Sequence, residues 1–189
     1  MPQFAEFKKK HGPAGECRAV PAKTLAAYRK KLPEPLIADW EETGWCAYGK
    51  GLIWLVDPDD FKPTVREWLG STTKGTVFAR SAFGHLLVWN SEGAHLLDPH
   101  YGTIAKLIDD VGLVFNYSLC SARYLNNVLE QKLFEKALKK LGPLAHHECY
   151  GFEPALALGG DGTLKTLRKV KLLEQLSLLA QLTDELKRV

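Results

Sequence analysis

Apolar residues along the chain recur either every three to four positions or in short unbroken runs. The switches between these two patterns delimit the expected elements. Leu25, Tyr28 and Leu32 stand at helical spacing. A helix should start near Pro21, a residue tolerated in a first turn, and end at Pro33. Leu36, Ile37 and Trp40 predict a second helix over residues 35–42, closed by Gly44. The first twenty residues read as irregular or partly helical, anchored by Phe4 and Phe7. From Trp45 to Val56 two apolar runs flank Gly49-Lys50-Gly51, the pattern of two short strands and a turn. Asp57-Pro58 stops the second run. Asp57 can cap the helix expected next, which carries Phe61, Val65, Trp68 and Leu69.

Residues 76–106 read as a meander. Val77–Arg80, His85–Trp89 and Ala94–Leu97 are β-prone, separated by Gly84 and by Asn90-Ser91-Glu92-Gly93, with a further strand or turn at Thr103, Ile104 and Leu107. Leu125, Val128, Leu129, Leu133, Ala137, Leu138 and Leu141 then form one helical stripe, ended by Gly142-Pro143. Leu172, Leu176, Leu179, Leu182 and Leu186 form another. Between the two lies Ala155–Leu158, an apolar run with the length of a buried strand, stopped by Gly159-Gly160. The expected fold is α+β: a mixed or antiparallel sheet with flanking helices, and a small C-terminal helix–strand–helix unit packed against it. The expected domains are residues 1–112 and 117–189, with a weak boundary between them.

Composition changes this picture little. The 189 residues are 46% hydrophobic and 25% charged, enough for a sizeable core and ordinary for a globular protein. No apolar run reaches the roughly 18 residues that span a bilayer, and residues 1–10 lack the apolar segment of a secretory signal. Cys17, Cys46, Cys120 and Cys149 are far apart, without CxxC spacing. They read as reduced thiols in a cytoplasmic protein.

Charge is more informative in its distribution than in its net value of +3. Residues 8–31 hold eight Lys or Arg against one acid, and residues 34–67 hold eight Asp or Glu against three bases. The simplest account is two solvated faces. The functional account is an acidic surface that attracts a basic partner. The basic segment lacks interleaved aromatics, so direct nucleic-acid binding is not expected.

Three clusters suggest chemistry. Gly159-Gly160-Asp161-Gly162-Thr163 matches the GGDGT signature of the NAD kinase and diacylglycerol kinase superfamily. Only 26 residues follow Thr163, too few for the rest of such an enzyme. The simpler reading is a turn in which Asp161 hydrogen-bonds locally. His146-His147-Glu148-Cys149 is rich in potential ligands, but adjacent side chains diverge and no spaced partner pair exists, so no metal site is expected. Asp98-Pro99-His100 reads as a turn after a strand. Serine or cysteine catalysis finds no nucleophile elbow. The five tryptophans read mostly as core.

Two resemblances bear on function. Residues 1 to about 110 resemble the GAD-like domain through Leu32-Pro33, Trp40, Gly44-Trp45, Gly51, Trp54, Asp57-Pro58 and Trp68-Leu69. Residues from about 117 onward resemble the C-terminal domain of immunity proteins to type VI secretion DNase effectors. That match rests on Leu141-Gly142-Pro143-Leu144, on Glu148–Phe152 and on Pro154–Gly160. The resemblance implies a non-enzymatic inhibitor without cofactors whose partner is a cognate toxin, a nuclease in the usual case. It also implies that the glycine and aromatic motif shapes the scaffold. Because a nuclease surface must be basic to hold phosphates, the acidic residues Glu41, Glu42, Asp57, Asp59 and Asp60 are the expected toxin-binding candidates.

Overall fold

A computed structural model describes residues 3–70 and 74–189. The N-terminal half runs α1 (Ala5–His11), β1 (Cys17–Arg18), α2 (Ala22–Tyr28), α3 (Glu34–Glu42), β2 (Trp45–Tyr48), β3 (Ile53–Leu55) and α4 (Lys62–Leu69). The meander follows as β4 (Thr76–Ser81), β5 (Leu86–Asn90), β6 (Gly93–Asp98) and β7 (Thr103–Ile108). The C-terminal half holds α5 (Val111–Asn116), α6 (Ala122–Asn127), α7 (Gln131–Leu141), β8 (Glu148–Phe152), β9 (Leu167–Lys171), α8 (Leu172–Gln181) and β10 (Lys187–Arg188). The fold is α+β, as the pattern predicted.

One eight-stranded sheet has the order β1-β2-β3-β4-β5-β6-β7-β10. Neighbours are antiparallel except at the last edge, where β10 lies parallel to β7. Strands β1 to β7 therefore pair in chain order; short turns join β2 to β3 and the strands of the meander, while helices intervene between β1 and β2 and between β3 and β4. The second sheet is the antiparallel ribbon β8–β9.

One continuous core joins both halves. Phe115 on α5 stacks on Phe4 at 4.1 Å and meets Phe7 edge-on at 5.0 Å, pinning the N-terminal segment. Asn116 Oδ1 accepts from the Phe7 amide, and His11 Nε2 donates to the Leu119 carbonyl at 2.8 Å. At the far side the Tyr150 amide donates to the Ala82 carbonyl at 2.8 Å, and Trp68 Nε1 donates to the Leu176 carbonyl at 3.1 Å. Both bonds tie the C-terminal half to the turn after β4 and to α4.

Four expectations are corrected. First, Ala155–Leu158 is not a strand. Leu156–Leu158 form a single 3-10 turn, and Leu158 is exposed. The strand of the C-terminal unit lies upstream at β8, and its partner β9, rich in Lys and Arg, carried no apolar signal. A four-residue apolar run fits a turn as well as a strand, and Pro154 cannot donate to a ladder. Second, the stripe from Leu125 to Leu141 is two helices, α6 and α7, broken at Glu130, whose φ is 52°. Third, the last helix stops at Gln181, and Leu186 precedes β10 instead of extending α8. Fourth, Cys17 and Cys46 are not free thiols. They face each other across β1 and β2 with Cα atoms 4.0 Å apart and are joined as a disulfide, while Cys120 and Cys149 are free. A two-residue strand leaves no periodic trace, so this pairing had no sequence signature. Gly44 makes the approach of β1 possible: it has φ +86°, and a Cβ there would meet the Arg18 carbonyl oxygen at 2.4 Å.

Candidate functional site

The five acidic candidates flank α2. Asp57 is the N-cap of the 3-10 turn Pro58–Phe61, accepting from the Asp59 amide at 3.0 Å, and partial burial pushes its carboxyl up. Asp59 lies 2.8 Å from Lys62 Nζ and accepts from the Tyr28 hydroxyl; these bonds hold its carboxyl below the usual range. Asp60 reaches Arg18 at 3.6 Å. On the other side of α2, Arg29 binds both Glu41 and Glu34. Glu42 is exposed and has no ion pair among the described residues. Behind it, buried Asp39 lies 2.6 Å from Lys8 Nζ. The structure thus gathers Asp57, Asp59 and Asp60 on one turn and sets Glu41 and Glu42 at the end of α3, with Tyr28 and Arg29 between. The face is acidic in sequence but threaded with cations that sequence distance concealed.

Asp60 also lines a cavity of about 250 Å³ with Trp45, Trp54, Glu16, His146 and His147. Here the histidine pair from the C-terminal half meets the N-terminal half, with His146 Nδ1 4.0 Å from Glu16 Oε1. The other two members of that cluster turn elsewhere. Glu148 accepts from the Ala145 amide at 2.9 Å and pairs with Lys169 at 3.2 Å, and the backbone bond does most to hold its carboxyl low. Cys149 is buried, and desolvation pushes its thiol up to about 12, which leaves it unreactive. Beside it Arg80 is fully buried without a carboxylate partner. It donates to the carbonyls of Ser81 and His146 and lies 4.5 Å over the Trp54 ring. Burial brings it down to about 10. Among the described residues no group of three His, Cys, Asp or Glu side chains is placed to hold a metal.

Sequence reasoning missed one polar line. Ser81 Oγ lies 2.7 Å from His85 Nδ1, and His85 Nε2 lies 3.5 Å from Asp98 Oδ2. The order of residue types is that of a catalytic triad, but the roles are not. Ser81 Oγ already accepts from the amides of Phe83 and His85, so its proton goes to Nδ1 and Nε2–H faces the aspartate. Ser81 and His85 are buried, and the hydroxyl is spent on closing the β4–β5 turn. The adjoining His100 donates through Nε2 to the Phe83 carbonyl at 2.8 Å, and burial brings its imidazole down to about 4. Asp98 Oδ1 accepts from the His100 amide at 2.9 Å, the turn that Asp-Pro predicted.

The glycine-rich segment is also a turn. Asp161 Oδ1 accepts from the Thr163 amide at 2.9 Å and from the Thr166 hydroxyl at 2.8 Å. Gly160 packs so tightly that a Cβ would sit 2.2 Å from the Pro154 carbonyl oxygen. Its backbone is committed to this fold-back and faces its own loop.

Comparison with known proteins gives these features a context. Residues 3–98 match the model of the GAD-like domain. That match spans just over half of the sequence, and the chain belongs to the GAD-like domain family. Residues 114–183 match the model described as T6SS immunity protein Tdi1, C-terminal, which narrows the class to type VI secretion immunity proteins. No curated protein matches the sequence. Among solved structures, the crystal structure of Atu4351 from Agrobacterium tumefaciens is similar with a TM-score of 0.75 and 21% identity, over 96% of this chain and 89% of that one. That likeness is one of fold. No helix among the described residues is long and apolar enough to cross a membrane.

Proposed function

We propose that this chain binds a cognate secreted antibacterial toxin, a nuclease, and neutralises it without catalysis by covering the active site or an adjacent surface. The observation that carries the reading is the match of residues 114–183 to a type VI secretion immunity protein beside a GAD-like domain. The turn-locking role of the one serine–histidine–aspartate line supports it. The cytoplasm is the compartment we assign. Cytosolic thiols are kept reduced, so in that compartment the Cys17–Cys46 bond marks an oxidised form of the chain.

The contact we assign is the acidic face of Glu41, Glu42, Asp57, Asp59 and Asp60. A surface that grips phosphates is basic, and opposite potentials speed encounter. The cations now paired with these carboxylates do not prevent this. Exposed ion pairs contribute only about 0–1 kcal/mol each, so exchanging Arg29 or Lys62 for a cation of the toxin costs little. Co-purification with the product of the adjacent reading frame tests the reading, and charge reversal at the five positions tests the face. A tight complex that the reversal weakens supports both. A tight complex that the reversal leaves unchanged moves the interface elsewhere, and absence of a complex removes the reading.

A further inference from the structure

A second charged feature lies on the other flank of Tyr28. A cleft of about 750 Å³ opens between the end of α2, the first turns of α4, the start of β4 and the β5–β6 turn. Lys31, Lys62, Arg66 and Lys74 line it, and no carboxylate does. The rings of Tyr28 and Trp89 complete its wall. Lys62 alone is neutralised, by Asp59 at 2.8 Å. Lys31 Nζ lies 4.9 Å from the centroid of the Tyr28 ring, and Arg66 and Lys74 have no ion pair among the described residues. These cations come from three separate segments, the end of α2, α4 and the stretch before β4, so no sequence run announced them; the fold concentrates them in one concavity.

Like charges held together in a cleft repel one another and focus the field, an arrangement relieved by a bound polyanion. The guanidinium of Arg66 offers a planar fork that suits a phosphoryl group. Trp89 is half-buried and fixed by its pairing opposite Thr76 in the sheet, so its exposed ring edge or face is a preset surface for a planar ring. The volume falls within the roughly 300–1,000 Å³ of small-molecule sites.

We propose that this cleft binds a nucleoside phosphate, the phosphates held by Arg66, Lys74 and Lys31 and the base set against Trp89. The argument uses Asp59 only as the partner of Lys62 and does not use the toxin, so it stands or falls separately from the inhibitor reading.

The test is calorimetric titration of the full chain at roughly 50 mM salt, where screening is weak, with ADP, inorganic pyrophosphate and adenosine as probes. ADP should saturate one site, pyrophosphate should bind more weakly, and adenosine should bind weakest. Arg66→Glu with Lys74→Glu should weaken ADP by at least about tenfold, the loss of roughly 1.4 kcal/mol, while Lys136→Glu on α7 leaves it unchanged. Trp89→Leu should weaken ADP but spare pyrophosphate, and retained pyrophosphate binding reports that this variant is folded. No saturation by about 5 mM ADP, a binding free energy weaker than roughly 3 kcal/mol, overturns the proposal. So does pyrophosphate binding as tightly as ADP, which would mark a simple anion hole, or ADP binding that ignores the double reversal. An acidic peptide that binds where ADP does not would assign the cleft to a protein partner instead.

Discussion

Replacing Phe115 with alanine tests how the two halves are joined. The ring is fully buried at the crossing of α1, α5 and β4. It stacks on Phe4 at 4.1 Å and 19°, meets Phe7 at 5.0 Å and 84°, and lies 6.1 Å from Phe78. Truncating a buried phenylalanine costs about 3–5 kcal/mol through lost transfer energy and the cavity left behind. A chain of this length loses about 2–4 °C per kcal/mol, so a cost of about 4 kcal/mol should lower Tm by about 8–16 °C. The same change made with Phe4→Ala completes a cycle, and a stacked pair should couple by about 0.5–1.5 kcal/mol. Thermal unfolding followed by circular dichroism reads the Tm, and urea unfolding followed by tryptophan fluorescence reads the coupling. Phe115→Ala with a Tm within about 3 °C of the parent, or zero coupling to Phe4, would refute the docking of α1 on α5.

Other outcomes follow from single features. The Cys17–Cys46 disulfide closes a loop with a sequence separation of 29, and chain entropy sets its worth at about 3.6 kcal/mol at most; alkylation of the denatured, unreduced protein should label two thiols, and labelling of four would remove the bond. Gly160→Ala should destabilise by about 1–3 kcal/mol because the new Cβ clashes with the Pro154 carbonyl; an unchanged urea midpoint would show the loop free to move. His100 should make the protein acid-sensitive. Its folded value of about 4 lies below the ordinary 6.5, so it has no effect above pH 6.5. As pH falls from 6.5 toward 4 the unfolded chain binds a proton that the folded chain refuses. The loss approaches about 3 kcal/mol. His100→Gln should flatten that limb of the stability profile, and an unaltered profile would assign the acid sensitivity to other groups.

The sequence revealed elements with long period or strong punctuation. α2, α3, the β2–β3 pair and the meander stand where Pro21, Pro33, Gly44, Gly49-Lys50-Gly51 and Asn90–Gly93 set their ends. Local chemistry was also readable, since Asp57 caps its turn and Asp161 bonds within its own loop. What escaped was set by tertiary pairing. β1 and β10 are two residues each, and β9 is a charged strand stabilised by its ladder with β8. The acidic residues were visible as a run, but Arg18, Arg29 and Tyr28, which bind three of them, come from a segment that reads as basic. Likewise the Ser81–His85–Asp98 line exists only once the meander brings its parts together, and the cation cleft only once α4, the end of α2 and the β5–β6 turn meet.

Protection of cells tests the central claim most directly. The chain is expressed together with the product of the adjacent reading frame, in cells that this product alone arrests, and growth and chromosomal DNA integrity are followed. Neutralisation by binding predicts restored growth and intact DNA, with both proteins recovered in one complex. Arrest that persists while the chain is folded and abundant, with no complex recovered, would contradict it.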